Sequence, residues 1–164
     1  MSGISAKLVM ELRDSTNLPM MKCKEALEKS GGDKTAAIEF LRKQGHAAKD
    51  KFAGRETPNG LIGMAIKDGS GVLVLLGCQT DFVANSEDFK AGVAKIAQVA
   101  LDTGADSVDS LKAKPVDGGT IDDVVTGLIN KIRENIVLVQ VARITGANVV
   151  GYNHGGRIAT LVAG

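Results

Sequence analysis

The chain has 164 residues, of which 44% are hydrophobic and 24% charged, and its 20 basic and 19 acidic side chains leave a formal net charge of +1. A chain of this length makes one domain, or one domain with a small appendage, and buries about 70% of its unfolded surface, so it needs no disulfide or metal to fold. Near-neutral charge, with four phenylalanines, one tyrosine and no tryptophan, excludes a large electrostatic or base-stacking surface, so no direct nucleic-acid binding is expected.

The start, Met1-Ser2-Gly3-Ile4-Ser5-Ala6-Lys7, lacks the apolar core of a signal peptide. No apolar run is long enough to span a bilayer, so a cytoplasmic protein without a membrane partner is expected. The first fifty residues read as three short helices. Ser5 caps a helix with Leu8, Val9 and Leu12 on one face, ending near Asp14-Ser15. Asn17-Leu18-Pro19 breaks the chain, and the next helix carries Met20, Cys23, Ala26 and Leu27 before stopping at Gly31-Gly32. Asp33 caps a third helix bearing Ala37, Ile38 and Leu41, expected to end at Gly45. None is long enough to be stable alone, so the three must share a core. Residues 47–60 read as a polar, basic linker, helical at first and broken before Pro58.

Leu61 to Ile66 and Val72 to Leu76 read as strands joined by a hairpin turn over Lys67-Asp68-Gly69-Ser70-Gly71. Phe89, Val93, Ile96, Ala97, Ala100 and Leu101 recur at helical spacing up to Gly104, and a short polar segment follows around Val108 and Leu111. Ile121, Val124, Val125, Leu128, Ile129 and Ile132 mark an amphipathic helix with Asp122 and Asp123 in its first turn. Ile136 to Ile144, Val149 to Tyr152 and Arg157 to Val162 read as strands separated by turns at Thr145-Gly146-Ala147-Asn148 and Asn153-His154-Gly155-Gly156. The class is α+β: a three-helix module, then an antiparallel sheet packed against helices.

Between the second strand and the following helix lies Gly77-Cys78-Gln79-Thr80-Asp81-Phe82-Val83-Ala84-Asn85. Two readings of Phe82 stand on local sequence. It folds onto the core as a staple at the helix entry, or it projects with Asp81 toward a partner. The residues alone favour the staple.

Nothing along the chain assembles catalytic chemistry, and no enzyme is expected. Gly31-Gly32-Asp33-Lys34-Thr35 looks like the end of a phosphate-binding loop, but Asp33 stands where glycine is needed and a helix precedes it. His154-Gly155-Gly156 has no accompanying Gly-x-Ser-x-Gly turn. Cys23 and Cys78 are far apart and read as reduced, buried thiols; His46 and His154 form no cluster with them. No catalytic, cofactor-binding or metal site is assigned. The chain reads as a binding protein.

Two stretches together carry a family resemblance. Leu12-Arg13-Asp14-Ser15-Thr16-Asn17-Leu18-Pro19-Met20-Met21-Lys22-Cys23-Lys24-Glu25-Ala26-Leu27 resembles the N-terminal signature of bacterial elongation factor Ts. Gln79-Thr80-Asp81-Phe82-Val83-Ala84 resembles its second signature. Ala53-Gly54-Arg55, Lys131-Ile132-Arg133-Glu134-Asn135-Ile136 and Tyr152-Asn153-His154-Gly155-Gly156-Arg157-Ile158 follow in family order. The resemblance implies a ubiquitin-associated-like module over 1–46, a linker over 47–60 and an α+β core over 61–164.

It also implies a guanine nucleotide exchange factor that promotes GDP release from elongation factor Tu without touching the nucleotide. Asp81 and Phe82 would be a wedge near the GTPase magnesium site, shaped by Thr80, Val83 and Ala84. Leu12, Arg13, Met20 and Met21 would hold the GTPase domain, and His154 matches a second contact region. With Phe82 so placed, the resemblance reverses the local preference for a staple. The alternative is a ubiquitin-associated-like interaction module on an α+β scaffold without exchange activity. The chain departs from the family pattern at Leu75 and Gly77, where Glu and Asn are usual, at Leu18-Pro19, and at Thr57-Pro58-Asn59. Long members also continue beyond the position of Gly164, and some short members pair, so a homodimer is a further expectation.

Overall fold

The computed structural model describes residues 3–16, 18–116 and 119–164. Asn17 of the expected chain break, and Met1 and Ser2 of the N-terminal segment, lie outside the described residues. Three helices come first: α1 (Ala6–Thr16), α2 (Met20–Lys29) and α3 (Lys34–Phe52). Ser5 Oγ accepts the Leu8 amide at 3.1 Å, and Asp33 Oδ1 accepts those of Thr35 and Ala36 at 3.0 and 3.4 Å. These side chains satisfy amide groups that have no partner inside the helix. Val9, Leu12, Leu18, Cys23, Ala26, Leu27, Ala37 and Leu41 close a core of the module's own.

Helix α3 does not end at Gly45. It continues through Phe52, and Ala48 and Phe52 belong to the main core rather than to the module's. Gly45 is a notch: a β-carbon there would sit 3.0 Å from Thr126 Cγ2 on α7 (Ile121–Ile132). The residue answers to a close helix approach, not to a left-handed cap. The chain is irregular from Ala53 and enters β1 at Asn59.

The main body is a three-stranded antiparallel sheet in the order β1 (Asn59–Lys67), β2 (Ser70–Cys78), β5 (Ile136–Thr145). Asp68 and Gly69 make the β1–β2 turn with φ of 48° and 75°, the geometry that matches strand twist in a two-residue hairpin. Val72, Val74 and Leu76 alternate onto one face with no exposure. That face is covered by α5 (Glu87–Thr103) and α7, which contribute Phe89, Val93, Ile96, Ala97, Ile121, Val125 and Ile129. The single turn α4 (Asp81–Ala84) precedes α5, and between α5 and α7 run α6 (Val108–Lys112) and a small ribbon of β3 (Pro115–Val116) and β4 (Gly119–Thr120). Thr120 and Asp123 form a reciprocal capping box at the start of α7. The helix closes on Arg133 at φ 67°, a left-handed position usually held by glycine and costing another residue about 1 kcal/mol.

The last two strands differ from the simple meander that the sequence suggests. β6 (Val149–His154) pairs with β7 (Ile158–Ala163), not with β5. The Gly146 amide donates to Gly69 O at 2.9 Å, so the chain turns out of the sheet at the β1–β2 corner. The β6–β7 ribbon then lies on the second face of the sheet, with Leu161 and Val149 against Gly71 and Gly151 against Met64 and Ile66. The α+β class and antiparallel pairing hold; the β5–β6 ladder does not form. Among the described residues no helix is long and apolar enough to cross a membrane.

Candidate partner-binding site

Strand β2 ends at the corner singled out by sequence, and the corner is tied down from three sides. Thr80 is extended (φ −124°, ψ 154°) and its Oγ1 accepts the Val83 amide at 3.3 Å, which starts the single turn of α4. Glu134, just past α7, takes three bonds: the amides of Gln79 and Thr80 donate to Oε1 at 3.1 and 3.2 Å, and Thr80 Oγ1 donates to Oε2 at 2.8 Å. Gln79 Oε1 accepts the Asn135 amide at 2.7 Å, and Asn135 Nδ2 donates to Arg55 O at 2.7 Å. After the turn, Asn85 Nδ2 donates to Asp81 O at 3.0 Å, and Ser86 caps α5 by accepting the Phe89 amide.

This frame decides which side chain packs inward. Ala84 is buried and Val83 packs against the core, whereas Asp81 is exposed and Phe82 is 88% exposed. The staple reading of Phe82 is therefore corrected: Phe89, seven positions later in the sequence, fills the core with 0% exposure. An 88% exposed phenylalanine on a hydrogen-bonded corner forgoes about 1.5–3 kcal/mol of burial within the chain. That free energy is left for an intermolecular contact.

Cys78 lies under the corner. Its thiol donates to Thr80 O at 3.2 Å, and burial, followed by the negative charge of Glu134, pushes its pKa up to about 11 from 9.0. With the folded value raised, the protonated thiol stabilises the fold fully below pH 9, and that contribution is lost as pH rises toward 11. Urea midpoints should accordingly fall between pH 9 and 11, less steeply in Cys78→Ala than in the parent. Parallel slopes in the two proteins would refute the assignment.

The other residues named from sequence fall into two groups. Arg13 on α1 and Met20 and Met21 at the start of α2 are exposed, Met21 to 75%. Leu12 has no exposure and sits in the module's core, so it supports the helix bearing Arg13 instead of offering a surface. His154 is exposed on the β6–β7 ribbon, with Tyr152 Oη 2.8 Å from its Nδ1. Gly156 and Arg157 in the turn after it line an open groove of about 390 Å³ together with Ala84, Asn85, Pro58, Leu61, Leu75 and Val139. Asp81, Phe82 and His154 themselves lie outside that lining. Gly77, a departure from the family pattern, also lines the groove; a β-carbon there would sit 2.9 Å from Thr57 Oγ1.

Sequence reasoning missed the parts that connect these contacts. Lys22 Nζ on α2 donates to Asn130 Oδ1 on α7 at 3.2 Å and to Gln44 Oε1 on α3 at 3.4 Å. One turn later, at and just past the C-cap of α7, come Arg133 and Glu134, and Glu134 holds Thr80. The end of α7 therefore joins the helical module to the corner. The run Lys131 to Ile136 was the available signal, but its partners lie across the fold.

The family model described as Elongation factor TS matches residues 79–164. Elongation factor Ts of Psychrobacter cryohalolentis is 42% identical over 161 residues, covering 98% of this chain and 55% of that protein. Elongation factor Ts of Rhodopirellula baltica is 39% identical over 164 residues, covering 99% and 50% respectively. For elongation factor Ts of Xylella fastidiosa the figures are 44% over 161 residues, 97% and 55%. The chain spans about half the length of the curated relatives it matches. The matched segment begins at Gln79, at the threshold of the clamped corner, and runs through the β6–β7 ribbon: the chain belongs to the elongation factor Ts family.

Proposed function

We propose that the protein is a guanine nucleotide exchange factor that promotes GDP release from elongation factor Tu in translation elongation. In this reading Asp81 and Phe82 enter the GTPase near its magnesium site, with Thr80, Val83 and Ala84 shaping the wedge. A ubiquitin-associated-like module of α1–α3 grips the GTPase through Arg13, Met20 and Met21, and His154 adds a contact from the ribbon. The protein acts in the cytoplasm, catalyses no covalent step and needs no cofactor. The observation that carries the reading is the exposed Phe82 on a corner held by Glu134.

The physical logic is linkage. A GTPase holds GDP through magnesium and phosphate-facing backbone donors. A factor that binds the nucleotide-free form more tightly weakens GDP by the same coupling free energy, without touching the nucleotide. Burying one phenylalanine, worth about 1.5–3 kcal/mol, supplies roughly one to two powers of ten. Stopped-flow release of fluorescent GDP from elongation factor Tu tests it: acceleration supports exchange. Binding without acceleration favours an interaction module alone. Self-association belongs to the same reading, through the outer face of the ribbon, where Val150, Ile158 and Val162 stand exposed. Sedimentation equilibrium should return a dimer mass; a monomer at micromolar concentration removes that part.

A further inference from the structure

Four cations gather where the helical module meets the core. The Arg55 and Arg133 guanidinium carbons lie 4.7 and 5.1 Å from the centre of the Phe52 ring, and Lys51 Nζ lies 5.6 Å from it. These three charges therefore fall within about one Debye length of one another, ~10 Å at 0.1 M salt. Lys22 joins them through Asn130, one turn before Arg133, which its Nζ reaches at 3.2 Å; burial first and then the positive charge of Arg133 lower its pKa, against an opposing pull from Glu25. Among the described residues no carboxylate lies within 4.0 Å of any of the four, as holds for most of the chain's cations, so it is their proximity to one another that sets them apart. The seam is also short of acceptors, since Asn130 Nδ2 is buried with no hydrogen-bond partner.

Two features argue against a merely solvated face. Arg133 holds φ 67°, where glycine would fit without strain, so its side chain is retained against the local backbone preference. The cluster is also continuous with both candidate contacts: Lys22 follows exposed Met20 and Met21, and Glu134 beside Arg133 clamps Thr80.

We infer that Lys22, Lys51, Arg55 and Arg133 form a cationic seat for an acidic segment of the same GTPase partner. The seat steers association and fixes the angle between module and corner. This rests on the exchange-factor reading. Continuity with the Phe82 corner and the low net charge elsewhere favour a protein carboxylate surface over nucleic acid.

The test is the association rate of the parent chain and of Arg55→Gln/Arg133→Gly with GDP-loaded elongation factor Tu, at about 50 mM and about 500 mM salt. The double variant should melt no lower than the parent, because glycine relieves the strained cap. It should associate roughly five- to tenfold more slowly at low salt, with the difference vanishing at high salt. Arg55→Lys/Arg133→Lys should restore most of the rate. Equal rates at low salt, or a loss that persists at high salt and in the lysine pair, overturn the inference in favour of packing on Phe52. Binding of single-stranded RNA that only the parent shows, with GTPase association equal in both, overturns it in favour of nucleic acid. If the parent fails to release GDP, the exchange reading falls and this inference with it. Normal release by a parent whose salt dependence the double variant shares removes the inference alone.

Discussion

Phe82→Ala should abolish most of the acceleration of GDP release, by roughly 10- to 100-fold, while leaving the unfolding midpoint within about 0.5 kcal/mol of the parent. The asymmetry follows from where the ring stands. At 88% exposure it contributes almost nothing to the core, so truncation leaves no cavity. Against a partner the same ring is an aromatic anchor of the kind that dominates interfaces. Phe89 is the internal control. With no exposure and core contacts throughout, its replacement by alanine should cost about 3–5 kcal/mol of stability. Reversed outcomes, with Phe82→Ala unfolding the protein or exchanging at the parent's rate, would remove the wedge.

Glu134→Ala should lower exchange by about tenfold without touching the partner. Its carboxylate is the common acceptor for two amides and one hydroxyl at the corner. Charge-assisted bonds of this kind are worth about 1.5–3 kcal/mol when dry, and less at a corner where water can replace them. Their loss frees Gln79 and Thr80, so Phe82 is no longer presented in one place and binding must order the corner first. Amide hydrogen exchange at Gln79 and Thr80 should quicken in step with the fall in activity. Protection unchanged beside a tenfold loss would mean that Glu134 acts directly at the interface. Quickened amides with full activity would mean that the corner needs no fixed pose.

How much of this was legible in the sequence depends on distance along the chain. Helices α1, α2, α5 and α7 follow from apolar spacing, and the starts of α1 and α7 from Ser5 and the acids at 122 and 123, because capping is settled within four residues. Gly45 misled because a helix stop and a packing notch look alike locally, and the deciding neighbour, Thr126, lies far along the chain. The β5–β6 turn misled for the same reason: Gly69 draws Gly146 out of the sheet. Phe82 was the sharpest case. Local rules made it a staple, the family resemblance made it a contact, and the fold turns it outward because Val83 and Ala84 already cover the core. The Glu134 clamp, 54 residues from Thr80, had no local signal at all. The cations around Phe52 were equally hidden, since they come from α3, the segment after it and the end of α7.

The central claim is that an exposed aromatic on a clamped corner loosens GDP from a GTPase. The most direct measurement mixes the folded parent chain and Phe82→Ala, in parallel, with elongation factor Tu carrying fluorescent GDP and follows the release rate against factor concentration. The account expects a saturable acceleration by the parent that is largely lost in Phe82→Ala. No acceleration by the parent, or equal acceleration by both proteins, contradicts it.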